Sequence, residues 1–172
     1  MDNSIHIEEL NTDQIAELIE NPDGLSPLIF SNSDDWKKTT RKAMSNHNGW
    51  HIIHYLLAKD VWGGKWPLNF MADLDVGTPV MYDEEYPPAT LFSPSEVAAI
   101  SAALQKITPD QLTKKFNPED DNLYEVGCAV DAFSSPEEYF SEAVKPDYEE
   151  IRAFVAAAAG RNSGLLVAWT MM

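Results

Sequence analysis

The chain carries three of its four histidines within one short stretch, "HNGWHIIHYLL", at His47, His51 and His54. In a continuous helix these positions would be i, i+4 and i+7, and neutral imidazoles one turn apart can ligate zinc. However, no glutamate stands where a zinc hydrolase helix needs its general base. Asn46 or Asn48 is also a good N-cap, which would leave His47 before the helix. We therefore predict no metal site.

The other interpretation of the same stretch is a core helix over about 48–59. Its apolar side chains share one broad arc of a helical wheel, and the histidines lie at the border of that arc. This pattern predicts that His54 is a structural histidine with a backbone or carboxylate partner. It predicts that His51 is exposed.

Residues for nucleophilic catalysis are not evident. Cys128 is the only cysteine, and its neighbours in 126–130 are small or apolar, which is typical of a buried inert thiol. The sequence contains no G-x-S-x-G elbow and no glycine-rich phosphate loop. Paired carboxylates are expected as solvated surface in so acidic a chain. We therefore predict no catalytic residue and no cofactor.

Aromatic and acidic residues alternate in the loop-rich span 62–92, and a second acidic stretch follows near residue 120. Aromatic anchors beside carboxylates suit recognition of a basic protein. The predicted partner-binding residues are Asp83, Glu84, Glu85, Tyr86, Glu119, Asp120 and Asp121. A candidate ligand cleft would contain Trp50, His54, Trp62 and Trp66. The alternative is that the tryptophans only wedge the loop onto the core.

The charge balance is strongly acidic, because 28 acidic residues against 12 basic ones give a formal net charge of −16. Nucleic-acid phosphates and anionic lipid headgroups would repel such a surface, so we expect neither a nucleic-acid nor a membrane partner. A basic protein would be attracted and steered toward it. The alternative is that the charge only keeps the protein soluble.

Signals that would direct the chain out of the cytoplasm are not evident either. The start, Met1-Asp2-Asn3-Ser4, lacks the basic and apolar regions of a signal peptide. No apolar run approaches the roughly 18 residues of a membrane span. A single cysteine forms no internal disulfide. These observations predict a cytoplasmic protein.

Helices with a few interspersed strands, without regular βαβ alternation, are typical of the α+β class. Ser93 and Thr108 are strong helix starts, because each combines a capping residue with a following proline. The predicted helices span 12–21, 48–59, 68–74, 109–116 and 147–159, with further helices starting at Ser93 and Ser135, and the predicted strands span 4–8, 89–92 and 165–170. The length of 172 residues predicts one domain over 1–172, with several helices packed on a small mixed sheet that includes the C-terminal strand.

Five features occur in the order seen in one known family. They are the helix sequence WHIIHYLL at 50–57, the Trp66-Pro67-Leu68 turn, a Tyr-Pro-Pro loop before LFSP at 91–94, the helix pair beginning ITPDQL at 107–112, and a long helix leading to a C-terminal strand. In this order and spacing the chain resembles the YfbM-like family, a bacterial domain of unknown function, over roughly residues 5–170.

The family pattern in the first of these helices is similar to Trp-x-x-Leu-His-x-x-Leu-Thr-Gly. Trp50 and His54 fit this pattern, whereas Ile53 replaces the leucine and Ala58-Lys59 replaces Thr-Gly. The resemblance implies a small α+β single domain. It implies no established activity and brings no catalytic residues.

Two functions remain open from the sequence. The first is a non-enzymatic bacterial immunity protein that binds and neutralises a basic toxin such as a nuclease, since an acidic surface can mimic a phosphate substrate and associate fast. The second is a small-molecule-binding or hydrolytic enzyme with a cleft near His54. The lack of a catalytic motif favours the binding protein over the enzyme.

Overall fold

A five-stranded antiparallel sheet organises the fold. The computed structural model describes residues 3–30, 41–46, 49–126 and 132–171. The strands are β1 (Asn3–Leu10), β2 (Ala43–Asn46), β3 (Thr78–Val80), β4 (Ala89–Phe92) and β5 (Gly164–Met171), in the order β2-β1-β5-β4-β3. The α+β class and the place of the C-terminal strand in the sheet are confirmed. The neighbouring strands pair antiparallel throughout, so the sheet is not the mixed one expected.

Helices cover both faces of this sheet. They are α1 (Thr12–Glu20), α2 (Leu25–Ile29), α3 (Trp50–Ala58), α4 (Pro94–Gln105), α5 (Pro109–Thr113), α6 (Pro136–Tyr139) and α7 (Lys145–Gly160), with 3-10 turns at Pro22–Gly24 and Asp121–Leu123 and a π-helical turn at Phe140–Val144. Ser93 and Thr108 form the predicted capping boxes of α4 and α5. Within the described ranges, every helix is too short or too polar to traverse a lipid bilayer.

Alternation along the two central strands divides the core into two clusters. Ile5 and Ile7 of β1, with Val167 of β5, belong to the larger cluster, which also contains side chains of α3, α4 and α7. Leu10 and Leu166 belong to the smaller cluster with side chains of α1 and α2. The histidine-bearing helix α3 therefore packs into the larger cluster.

The polar side chains of β1 lie on the face of the strand opposite the larger cluster. Glu8 is buried and accepts two hydrogen bonds of 2.7 Å from Arg41 and one of 3.0 Å from Nε2 of His6. Burial disfavours the carboxylate, but the hydrogen bonds from Arg41 and His6 outweigh it and lower the pKa of Glu8. Arg41 also donates to the carbonyl of Leu28 at 2.9 Å, so the ion pair joins β1 to α2.

The edges of the sheet and one turn differ from the sequence prediction. The edge strands β2 and β3 were not predicted, and β3 lies in a segment expected to be a loop. β3 is short and contains Pro79, which has no N–H for a strand ladder and is tolerated at an edge. The helix predicted over 68–74 is wrong, because these residues form turns that follow a cis Trp66–Pro67 bond.

Candidate functional site

Helix α3 begins at Trp50, shortly after β2 ends at Asn46. The side-chain oxygen of Asn46 accepts hydrogen bonds from the N–H groups of Gly49 at 2.9 Å and Trp50 at 3.1 Å. These bonds satisfy donors that the first helical turn leaves free, but the N-cap residue is Gly49 and not the predicted Asn46 or Asn48. His47 precedes this start and lies outside the described residues. The helix therefore carries only the other two histidines of the opening stretch.

His51 is buried, with 4% of its surface exposed, so the prediction of an exposed residue is wrong. Its ring stacks on Trp50 with centroids 4.8 Å apart and lies 4.3 Å from the ring of Trp62. Its Nε2–H donates to the carbonyl of Val61 at 2.9 Å. Burial lowers the pKa of His51. The helical wheel could not show this burial, because the covering residues come from the loop after the helix.

His54 lies one turn further along α3 and is completely buried, with 0% exposure. The predicted carboxylate partner is absent among the described residues, and the backbone of Gly63 approaches the ring without a hydrogen bond of normal geometry. The backbone of Gly63 lies close enough only to favour the charged ring slightly. Burial, together with repulsion from His51, lowers the pKa of His54 to about 4. The ring is therefore neutral at physiological pH.

The segment 60–75 folds into a tight loop against α3. Gly63 and Gly64 have φ values of 97° and 109°, which residues with a Cβ rarely adopt. The side-chain amide of Asn69 donates to the carbonyl of Gly64 at 3.0 Å and to the carboxylate of Asp73 at 2.5 Å. These bonds hold both the loop backbone and the Asp73 carboxylate in place.

A cleft of about 520 Å³ opens beside this loop, and we call it the Trp62 cleft. The rings of Trp62 and Trp169 line it, with centroids 5.0 Å apart and an angle of 33° between their planes. Asp73, Leu74, Asp75 and the two loop glycines are among its other lining residues. Trp62 is 47% exposed, so part of its side chain is accessible to a ligand.

The four residues predicted for a cleft near His54 do not all meet. Trp50 lies behind Trp62, with ring centroids 6.5 Å apart. His54 lies beneath the loop, 6.3 Å from the ring of His51, and does not line the Trp62 cleft. Trp66 stacks on Phe92 at 6.0 Å instead of joining this group.

The acidic run Asp83, Glu84 and Glu85 lies in the loop between β3 and β4. The Asp83 side chain accepts a hydrogen bond from the N–H of Glu85 at 2.8 Å, which closes a local turn and leaves Glu84 and Glu85 exposed. Tyr86 is half-buried and packs on Phe30 with ring centroids 4.9 Å apart. The run thus presents exposed carboxylates beside a packed aromatic ring.

Asp120 has an internal role in the second acidic stretch. Its carboxylate accepts hydrogen bonds from the hydroxyl of Tyr55 at 2.6 Å and from the N–H of Asn122 at 3.0 Å, and the Tyr55 bond lowers the pKa of Asp120. Glu119 and Asp121, on either side, are exposed. Asp120 therefore positions the segment, while its neighbours face solvent.

Tyr124 follows this stretch and is 92% exposed, more than any other large apolar or aromatic side chain that the structure describes. The exposed carboxylates of Asp121 and Glu125 flank it along the chain. A tyrosine is thus presented to solvent within an acidic segment.

Sequence analysis missed both Tyr124 and Trp169 as site residues. Tyr124 stands in a segment without a clear periodicity. Trp169 was assigned only to a buried strand, and its alignment with Ile5 in the sheet register places it near the loop of Trp62. No local signal could have identified Trp169, because its neighbours at the cleft lie about a hundred residues earlier in the chain.

Among the residues that the structure describes, no group of three or more histidine, cysteine, aspartate or glutamate side chains is arranged to hold a metal ion. Cys128 lies outside the described residues, so its predicted burial stays a prediction.

Comparison with known proteins gives a family and a fold. The chain matches the model of a domain of unknown function, DUF1877, over residues 5–168. It is similar to the crystal structure of YfbM from Escherichia coli, a protein of unknown function, with a TM-score of 0.66 over 97% of this chain and 99% of that one. These findings confirm the predicted resemblance. At 17% sequence identity the structural likeness shows the fold alone. No curated protein matches the chain at a significant level.

Proposed function

We propose that this chain, which belongs to the DUF1877 family of domains of unknown function, is a non-enzymatic acidic protein-binding domain. In its specific form the proposal is a cytoplasmic bacterial immunity protein that binds and neutralises a basic toxin, such as a nuclease. The observation that carries it is the exposed Tyr124 within an acidic segment of a strongly acidic protein.

Tyr124 has the properties of an interface anchor. Tyrosine is enriched among the residues that dominate binding energy, and it combines apolar area with a hydroxyl that can hydrogen-bond. At 92% exposure the ring contributes almost none of its area to the core. Asp121 and Glu125 would surround the anchor with negative charge, and the hydrogen bond between Tyr55 and Asp120 holds the preceding turn. These features support recognition of a basic surface.

The overall charge supports the same class of partner. A formal net charge of −16 raises the encounter rate with a basic protein and repels nucleic acid. Fast, electrostatically steered association suits a protein that must capture a toxin before the toxin reaches its substrate. The exposed Glu84 and Glu85, in the loop between β3 and β4, add to this field.

The test uses the product of the reading frame next to this gene. If that product is a basic toxin, it is expected to stop growth when expressed alone and to be harmless when this chain is co-expressed. The purified pair is expected to bind in calorimetry, with an association rate that falls as salt rises. A neighbouring product that is not basic, or that neither binds nor is neutralised, would overturn the proposal.

Variants locate the interface in that experiment. Tyr124→Ala is expected to weaken toxin binding by roughly ten- to a hundredfold, as for an interface hot spot. Ile19→Ala on α1 removes another exposed apolar side chain and serves as the matched control, with binding unchanged. Equal binding by both variants would move the interface away from Tyr124.

Small-molecule binding or hydrolysis near His54 is the second candidate function. The volume of the Trp62 cleft falls within the range of ligand pockets and supports binding. The burial of His54 and its low pKa argue against a general base acting at neutral pH. A thermal-shift screen of metabolites tests this candidate, since a true ligand should lose its effect in Trp62→Ala.

A further inference from the structure

The Trp62 cleft combines aromatic faces with carboxylates. Trp62 and Trp169 present indole rings with centroids 5.0 Å apart, and Asp73 and Asp75 lie among the lining residues. An indole face attracts cations through its quadrupole, and a nearby carboxylate adds an ion pair. The two kinds of group together suit a positively charged ligand better than a neutral or anionic one.

The carboxylate of Asp73 is held before any ligand arrives. It accepts hydrogen bonds from the side chain of Asn69 at 2.5 Å and from the N–H of Asp75 at 2.9 Å. The N–H of Gly63 donates to the carbonyl of Ala72 at 3.0 Å and closes the base of the same loop. A ligand would therefore meet a preorganised group, which lowers the entropic cost of binding.

The second indole rests on the rigid part of the fold. Trp169 lies on the central strand β5 and Trp50 at the start of α3, with their ring centroids 6.4 Å apart. His51 stacks on Trp50 and approaches Trp62, so the accessible indole has ordered rings behind it. The exposed part of Trp62 is thus supported by rings packed against it.

The charged residues that line the Trp62 cleft are acidic. Among the described residues that line it, none carries a basic side chain. The two histidines behind it, His51 and His54, are buried and face each other across 6.3 Å, and burial favours their neutral form. The carboxylates of Asp73 and Asp75 are therefore not neutralised by a cation at the cleft.

We propose that the Trp62 cleft binds the guanidinium group of an arginine side chain from a basic protein partner. A guanidinium is planar, so it can stack on the Trp62 indole while its N–H groups donate to Asp73 and Asp75. The inference rests on the proposed function, because the basic toxin supplies the arginine. It adds to the Tyr124 segment a second contact, with a defined chemistry.

The direct test titrates the protein with N-acetyl-arginine-methylamide and follows the indole N–H signals by NMR. The expected result is saturable, salt-sensitive movement of the Trp62 and Trp169 signals, with millimolar affinity as befits a single side chain. The citrulline analogue, which has nearly the same shape and no charge, should bind at least about tenfold more weakly. Equal binding of the citrulline analogue, or preferential binding of N-acetylglucosamine, would overturn the proposal.

Variants separate the cleft from the general charge of the protein. Asp75 is exposed and only its backbone N–H takes part in the loop bonds, so Asp75→Asn should fold normally and weaken the arginine probe severalfold. Trp62→Ala should abolish the shifts. Glu150→Gln, a matched loss of one exposed carboxylate on α7, should leave them unchanged. The same loss of affinity in Glu150→Gln and Asp75→Asn would reduce the effect to net charge and overturn the proposal.

The toxin experiment keeps this inference separate from the proposed function. If the toxin binds this chain and Trp62→Ala or Asp75→Asn weakens that binding, both stand. If the toxin binds all these variants as tightly as the natural chain, the cleft inference is overturned and the proposed function stands. If the arginine probe binds but no basic toxin does, the proposed function is overturned. The inference that a basic toxin supplies the arginine is then overturned with it.

Discussion

The ring of His51 lies 4.3 Å from the ring of Trp62, and its Nε2–H donates at 2.9 Å to the carbonyl of the residue before that tryptophan, Val61. The His51 side chain on α3 therefore contacts both the Trp62 ring and the backbone of the loop that follows the helix. Because that loop carries the carboxylates of the Trp62 cleft, the geometry of the cleft depends on a buried histidine.

Replacement of His51 by alanine is expected to loosen this loop. The variant loses the ring contact and the bond to Val61, so the free energy of unfolding should fall by about 2–3 kcal/mol. Amide exchange at Gly63, whose N–H donates to Ala72, should accelerate. His51→Phe keeps the stacked ring without the hydrogen bond and should lose only about 1 kcal/mol. Unchanged exchange at Gly63 in His51→Ala would contradict the anchoring role.

The burial of His54 predicts a specific acid sensitivity. Its pKa falls from an ordinary 6.5 to about 4 in the folded protein. Between these values the unfolded chain binds a proton that the folded chain does not, so the free energy of unfolding falls as pH drops through this window. By pH 5 the loss from this group is about 2 kcal/mol.

His54→Leu isolates that contribution. Urea titrations at pH 8 and pH 5 should show a smaller loss of stability in the variant than in the natural chain, by about 2 kcal/mol. The measurement at pH 8, where His54 is neutral in both states, is the internal control. Parallel pH profiles of the two proteins would show that His54 is protonated or solvated in the folded state.

The Glu8–Arg41 ion pair should be worth far more than an exposed one. Arg41→Ala leaves a buried carboxylate without its main partner and should lower stability by about 3 kcal/mol at pH 7. The folded pKa of Glu8 is lowered, so this stabilisation is present above its ordinary pKa of 4.5 and is lost as pH falls through the folded pKa.

Thermal unfolding at several pH values tests this prediction. The gap between Arg41→Ala and the natural chain should narrow below pH 4.5. Lys145→Ala, which removes the solvent-exposed ion pair between Lys145 and Asp110, is the control and should lose much less. Equal losses in the two variants would contradict the assigned difference in burial.

Gly64 and Gly160 differ in the space that their surroundings leave for a side chain. A Cβ at Gly64, with φ at 109°, would lie 2.8 Å from the Cβ of Ala58 and 2.9 Å from its carbonyl oxygen. Gly64→Ala should therefore cost about 3 kcal/mol and disturb the Trp62 cleft. Gly160→Ala meets no atom within 4 Å near the end of α7 and should be neutral or gain up to about 1 kcal/mol. Chemical denaturation of both variants measures the contrast, and a mild effect at Gly64 would refute the crowding.

Elements with strong local signals were predicted well from the sequence. The capping boxes at Ser93 and Thr108 mark helix starts through contacts three residues apart, and the apolar pattern of 165–170 marks a buried strand. The edge strands β2 and β3 lacked such signals. They are three or four residues long, and their pairing partners in β1 and β4 decide their conformation.

The candidate site was less predictable because its residues meet across the chain. The aromatic and acidic character of 62–92 was evident from the sequence, and Trp62 was among the predicted cleft residues. The burial of His51 depends on a loop that folds back on the helix, and the position of Trp169 depends on strand register. Neither relationship is signalled by a hydrophobic periodicity or a sequence motif. Trp66 instead packs on Phe92 of β4, a contact that no local sequence pattern indicates.

The grouping of indoles also provides an optical reporter. Three of the five tryptophans, Trp50, Trp62 and Trp169, have ring centroids within 6.5 Å of one another. Indoles at such separations couple their intense electronic transitions, which produces exciton bands in far-ultraviolet circular dichroism. Because the three rings belong to α3, to the following loop and to β5, the bands appear only when these elements are docked together. The unlabelled protein can therefore report the assembly of its own cleft in solution.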